Sequence, residues 1–176
     1  MDLKIHKTLP EDPVYTVFSL WDTFRALHPL LTIIDPVRNE AFIRSLIKKS
    51  EEGGIYPMWD LASNYTGTMI GYHAASLILD SYVKGYRDFD VYKAYQACLS
   101  AAVYDTSGIH CPKPVLPFLM PKAKYYKNKQ GYIPCNLEDE SVAKGLEYAY
   151  DDWCIAQLAN QLGDSINYKK YEEFSK

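Results

Sequence analysis

The sequence predicts an all-α fold built from helical hairpins. Three observations carry that reading. Apolar residues recur at three- and four-residue spacing through several long segments, the period of a helix with one buried face. Helix boundaries are punctuated: Asp35-Pro36 opens one helix, Gly53-Gly54 closes it, and Gly85 and Gly163 close two more. Alternating apolar and polar residues never run beyond a few positions, so strands are not expected.

Taken in order, residues 1–13 form a polar lead whose Pro10 and Pro13 favour an extended, partly mobile backbone. From Thr16 a helical pattern places Val17, Leu20, Trp21, Phe24 and Leu27 on one face, until Pro29 bends or ends the run. Asp35 is an N-cap residue with Pro36 at the first helical position. The helix that follows turns Phe42, Ile43, Leu46 and Ile47 inward and Arg44, Lys48 and Lys49 outward, ending at the glycine pair. A loop holding Pro57, Trp59 and Asp60 leads into a long helix around Gly67–Lys84, with Met69, Ile70, His73, Leu77, Ile78 and Val83 on a broad inward face. Asp88 or Asp90 caps the next, roughly Val91–Tyr104. Five prolines between 105 and 135 leave a loop with one short helical turn near Lys122–Asn128, a candidate rim for a binding site. Periodicity resumes at Ser141 through Val142, Leu146, Ala149, Trp153 and Ala156, and an amphipathic segment runs from Asn167 to the end.

Composition narrows the function. Of 176 residues, 48% are hydrophobic and 23% charged, which excludes a disordered chain. A formal net charge of −3 gives no footprint for nucleic acid or an anionic membrane surface. No apolar run approaches the roughly 18 residues of a membrane span, and MDLKIHKTLPEDP lacks the apolar stretch of a signal peptide. Cys98, Cys111, Cys135 and Cys154 have no metal-ligand spacing and read as free thiols. The unusual feature is aromatic, with 16 Tyr in the chain.

Trp21, Asp22 and Arg25 form the densest polar-aromatic cluster, with His28 one turn on. Trp21 and Arg25 share a face, and Asp22 is placed to pair with Arg25. An indole covers the apolar face of a pyranose while a carboxylate and a guanidinium take its hydroxyls. The competing reading is a core Trp beside a surface ion pair. Trp59 is a second platform, in a loop before a helix whose cap is Asn64 or Thr66. His73, within an apolar helix, is more often a satisfied core histidine than a catalyst. Glu147 and Asp151 share a helix face, Asp152 points about 100° away, and Glu138-Asp139-Glu140 complements the dipole of the same helix. Glycosidase carboxylates face each other across the scissile bond, so neighbours on one helix cannot form the pair. A solvated acidic stripe is the alternative.

Three strings say more: VYTVFSLWDTFRALHPLLTIIDP at 14–36, GGIYPMWDLASNYTGTMIGYHAASLILDSYVKG at 53–85, and GYIPCNLEDESVAKGLEYAYDDWCIAQLA at 131–159. They strongly resemble the exo-acting α-mannosidases of glycoside hydrolase family 92. The resemblance implies one all-α domain over 1–176, a fragment of a larger (α/α)6 toroid catalytic domain. It also implies calcium-dependent, inverting hydrolysis of terminal α-mannosides, usually α-1,2-linked, in proteins that are exported. The family's general acid, in an EGN-type motif, and its general base, in GN-x-D-x-GQ, have no counterpart in this sequence, and its calcium ligands come mainly from the same later segments. The expectation is a truncated α-mannosidase, inactive alone, binding an α-mannoside glycan through Trp21, Asp22, Arg25, Trp59, His73 and Asp151. Its uncovered helical face would favour a homo-oligomer. The alternatives are a non-catalytic mannose-binding module and a structural remnant.

Overall fold

A computed structural model describes every residue except Met1, Leu3 and Ser63; the first two fall in the polar lead, outside the described residues. The chain is predominantly helical, in agreement with the sequence, with one small antiparallel sheet that its patterning does not announce.

The first helix is not continuous. Val17 takes a left-handed backbone (φ 69), which stops helical propagation, and Phe18–Ser19 becomes strand β1. It pairs with β2 (Trp59–Leu61), which pairs with β3 (Asn64–Tyr65). The register sets Phe18 opposite Asp60, Ser19 opposite Trp59, and Asp60 opposite Tyr65. One helical turn, α1 (Leu20–Thr23), precedes α2 (Leu27–Ile34). Pro29 neither bends nor ends this run. It sits in the first turn of α2, where its missing N–H has no partner to lose.

Helix α3 (Pro36–Gly53) matches its expectation. The Asp35 carboxylate accepts from the Arg38 N–H at 3.3 Å, and Gly54 closes the helix at φ 81. The outward Arg44, Lys48 and Lys49 are not simply solvated. Arg44 and Lys48 hold Asp12 of the N-terminal lead, while Lys49 donates to the Tyr15 carbonyl and to Asp60 at 2.5 Å. Asp60 also accepts from Thr16 at 2.7 Å, so this pair ties the sheet to α3.

Helix α4 covers only Ala74–Val83. Gly67, Met69 and Gly71 before it have positive φ (66, 71 and 86), so 67–73 forms an irregular crossing segment, and Val83 is exposed. Helix α5 (Val91–Ala101) is capped by Asp90, which accepts from Lys93 N–H at 3.0 Å. The proline-rich stretch holds a 3-10 turn at 113–115, α6 (Leu116–Leu119) and α7 (Ala123–Gln130), more helix than a loop with one turn. Helix α8 (Ser141–Gln161) packs along α9 (Ser165–Phe174) and α4, and α4 in turn meets α3 and α5. The core lies among them, with Ile43, Leu46, Ile78, Ala94, Ile155 and Leu158 essentially inaccessible to solvent. All four cysteines are unpaired, Cys98 and Cys154 in the core. Among the described residues no helix is long and apolar enough to cross a membrane.

The apolar stripe read on α8 divides: Val142 is 75% exposed, Leu146 70% and Trp153 46%, whereas Ala149 is half-buried and Ala156 lies in the core. The inner side carries Tyr148, Asp151, Asp152, Ile155 and Leu158.

Candidate functional site

Three elements converge on the inner side of α8. The one-turn helix α1 and the residues just after it supply Trp21, Asp22, Phe24 and Arg25. The crossing segment before α4 supplies Tyr72 and His73, and α8 supplies Glu147, Asp151 and Asp152.

Asp151, like Asp152, has no exposure. One carboxylate oxygen accepts the Tyr72 backbone N–H at 2.6 Å, and the other faces His73 Nδ1 at 2.7 Å. His73 stacks on Phe24 (centroids 4.1 Å apart, 15° between planes). Gly71 is required beside it: at φ 86, a Cβ there would lie 2.3 Å from His73 Nε2. That nitrogen makes no hydrogen bond but faces Glu147 Oε2 at 3.5 Å, within ion-pair reach. Glu147 Oε1 then accepts from Trp21 Nε1–H at 3.1 Å and from Arg25 Nη2 at 2.5 Å. One path of contacts therefore runs from the buried Asp151 to the exposed Arg25.

Asp152 belongs to a neighbouring network. It accepts from the Tyr72 hydroxyl at 2.6 Å and from Lys127, whose ammonium also donates to the Phe174 carbonyl at 2.5 Å. Burial pushes its carboxyl up to about 6, against the pull of Lys127 and the hydroxyl. Lys124, over the Tyr72 ring, is driven by burial down to about 8, with Asp151 and Asp152 opposing.

The candidates from sequence separate into three groups. Trp21, Arg25, His73 and Asp151 join in one contact path. Asp22 is exposed, and its carboxylate accepts from the Ser19 hydroxyl, not from Arg25, which Glu147 has taken. Trp59 sits not in a loop but in β2, opposite Ser19, where its carbonyl accepts from Thr66 N–H at 3.0 Å. His73 and Asp151 are too buried to meet a ligand directly. Glu147 is the residue that sequence reasoning left without a role; its i,i+4 relation to Asp151 was visible, its partners were not. Tyr72 was not singled out, and nothing local marks it.

Calcium takes about 6 to 8 oxygen ligands. Among the described residues no three His, Cys, Asp or Glu side chains gather to hold a metal, and the inner carboxylates of α8 are already engaged.

The helical scaffold brings an indole, a guanidinium and a carboxylate into one contact path, and the comparisons identify its family. Residues 1–176 match the glycosyl hydrolase family 92 catalytic domain. A family GH92 alpha-mannosidase from Bacteroides thetaiotaomicron superposes with a TM-score of 0.80 at 36% identity, covering 92% of this chain and 20% of that one. A family GH92 inverting mannosidase from Bacteroides thetaiotaomicron VPI-5482 gives 0.78 at 35% identity, covering 90% of this chain and 20% of that one. A structure of the first enzyme in complex with mannoimidazole gives 0.77 at 39% identity, covering 92% of this chain and 20% of that one. No curated protein matches. The chain belongs to glycoside hydrolase family 92 and spans about one fifth of the length of these solved relatives.

Proposed function

We propose that this chain is part of an (α/α)6 toroid catalytic domain of an inverting α-mannosidase acting on terminal α-1,2-linked mannosides. In this reading 1–176 is one all-α unit of the toroid, built from its helical hairpins. It contributes a wall of the subsite for the terminal mannose and does not hydrolyse glycosides alone. The observation that carries the reading is the contact path through Trp21, Arg25 and Glu147, in a chain of this family, beside an exposed Asp22. Trp21 covers a sugar face, Asp22 accepts from its hydroxyls, and Trp59 extends the same wall. His73 and Asp151 act from behind it. General acid–base catalysis needs two carboxylates positioned in one site; Glu147, Asp151 and Asp152 are committed to protein partners. Calcium, where the activity requires it, is held by residues outside this chain.

The test is calorimetric titration of mannose and α-1,2-mannobiose into the chain, with and without calcium, followed by an assay for released mannose. Binding lost in Asp22→Ala, without release, is the expected result. Turnover of an aryl α-mannoside, abolished by Asp22→Ala, would overturn the claim that the chain is inactive alone. We further propose that a second copy covers the apolar outer side of α8 and α2. The exposed Leu146, Trp153 and Ile33 support this, because large apolar patches drive association. A strictly monomeric species in sedimentation equilibrium at high concentration would count against it.

A further inference from the structure

We propose that Glu147 is a positioning residue for this sugar wall, and that His73 and Asp151 form the relay that fixes its carboxylate. The inference rests on the mannoside reading for its purpose, but not for its geometry.

Trp21 and Asp22 lie on a helix of four residues. A single turn does not sustain itself in water, so the direction of these side chains must come from tertiary contacts. For Trp21 that contact is Glu147 Oε1, which the indole N–H meets at 3.1 Å. Arg25 reaches the same oxygen, and its guanidinium lies 4.6 Å from the centroid of the Phe24 ring. With 56% of the Arg25 side chain exposed, such an ion pair adds little to stability. Its main consequence is orientation. Among the described residues it leaves Asp22 without a cationic partner, its carboxylate accepting from the Ser19 hydroxyl, and hence with acceptor capacity for a further hydroxyl.

Glu147 could serve this way only if it were itself fixed, and its other oxygen supplies the reason. Oε2 faces His73 Nε2 at 3.5 Å. The imidazole is held on its remaining sides by Phe24, by Asp151 at Nδ1, and by the Gly71 backbone. Asp151 is tied in turn to the backbone N–H of Tyr72. Both ring nitrogens look onto carboxylate oxygens, Nδ1 onto Asp151 at hydrogen-bond distance and Nε2 onto Glu147 within ion-pair reach. The sequence is thus backbone, Asp151, His73, Glu147, Trp21. Each member is placed by the one before it, as positioning within about half an ångström demands.

The experiment is a ¹H–¹⁵N spectrum of the full chain, following the three indole N–H signals, with Trp21 assigned by Trp21→Phe. Glu147→Ala should shift and broaden the Trp21 signal while those of Trp59 and Trp153 stay in place. His73→Ala and Asp151→Asn, which do not touch Trp21, should move the same signal in the same direction. A Trp21 signal unmoved by Glu147→Ala overturns the proposal. A signal moved by Glu147→Ala but by neither of the other two overturns the relay. Glu147→Gln keeps the side-chain volume as a second variant; if both Glu147 variants fail to fold, Glu147 is a stability residue and the proposal fails. Where the parent chain binds mannose, Glu147→Ala should weaken binding at least tenfold. Where the parent does not bind, the mannoside reading fails, and the indole signals still decide the relay.

Discussion

Replacing Gly71 with alanine tests the packing around His73. Two penalties are expected. A non-glycine residue at φ 86 costs about 1–2 kcal/mol in backbone strain. The new Cβ would also fall 2.3 Å from His73 Nε2. That ring cannot swing aside freely, because Asp151 holds one edge and Phe24 covers a face. Displacing it loses a charge-assisted hydrogen bond, roughly 1.5–3 kcal/mol, and strips one partner from a fully buried carboxylate. The expected total is about 3–5 kcal/mol, read as a lower urea midpoint at constant slope. Gly85→Ala is the control: its φ is 95, yet nothing lies within 4 Å of an added Cβ, so it should cost only the backbone penalty. In a His73→Ala background, Gly71→Ala should likewise shrink to that penalty, a coupling of about 2 kcal/mol. If Gly71→Ala costs no more than Gly85→Ala in the parent chain, the account of a locked imidazole is wrong.

Two further perturbations probe the buried charges. His28 is buried, and that burial pushes it down to about 4, with a side-chain hydrogen bond to Asn39 offsetting only part. Between pH 6.5 and 4 the unfolded chain binds a proton here that the folded chain refuses, so stability falls as pH drops through that window. The stability gap between parent and His28→Leu should therefore shrink by roughly 3 kcal/mol from pH 7 to pH 4; a gap independent of pH refutes it, and contributions from Asp152 cancel in the difference. Lys127→Met leaves Asp152 buried with only the Tyr72 hydroxyl, and should cost about 3–5 kcal/mol in chemical denaturation. Adding Asp152→Asn should recover a large part of that loss, and no recovery would mean that Lys127 acts through Phe174 instead.

What the sequence made legible follows from what is local. Helix α3 was readable at both ends because Asp35, Pro36 and the glycine pair are chemical signals at fixed offsets. The start of α4 was misplaced because Met69 and Ile70 continue an apolar pattern that the positive φ values at 67, 69 and 71 interrupt. The sheet was invisible: strands of two or three residues are too short for alternation to register. At the site, the shared face of Trp21 and Arg25 was visible from i,i+4 spacing, as was that of Glu147 and Asp151. The pairing of Arg25 with Asp22 was the local guess. It lost to Glu147, 122 residues away, and no spacing rule reaches that far.

The three carboxylates of α8 are each engaged by protein partners. Glu147 goes to α1, Asp151 to the crossing segment before α4, and Asp152 to α7 and Tyr72. Buried ion pairs of this kind rarely exceed what apolar packing would contribute, so stability alone does not account for them. What they do supply is register, since each ties α8 to a different element by directional bonds. A carboxylate acting as general base must offer a lone pair to water, and one acting as general acid must reach the leaving oxygen. Asp151 and Asp152 have both oxygens turned to protein partners and no solvent exposure, which fits them to bracing a wall and unfits them for either role.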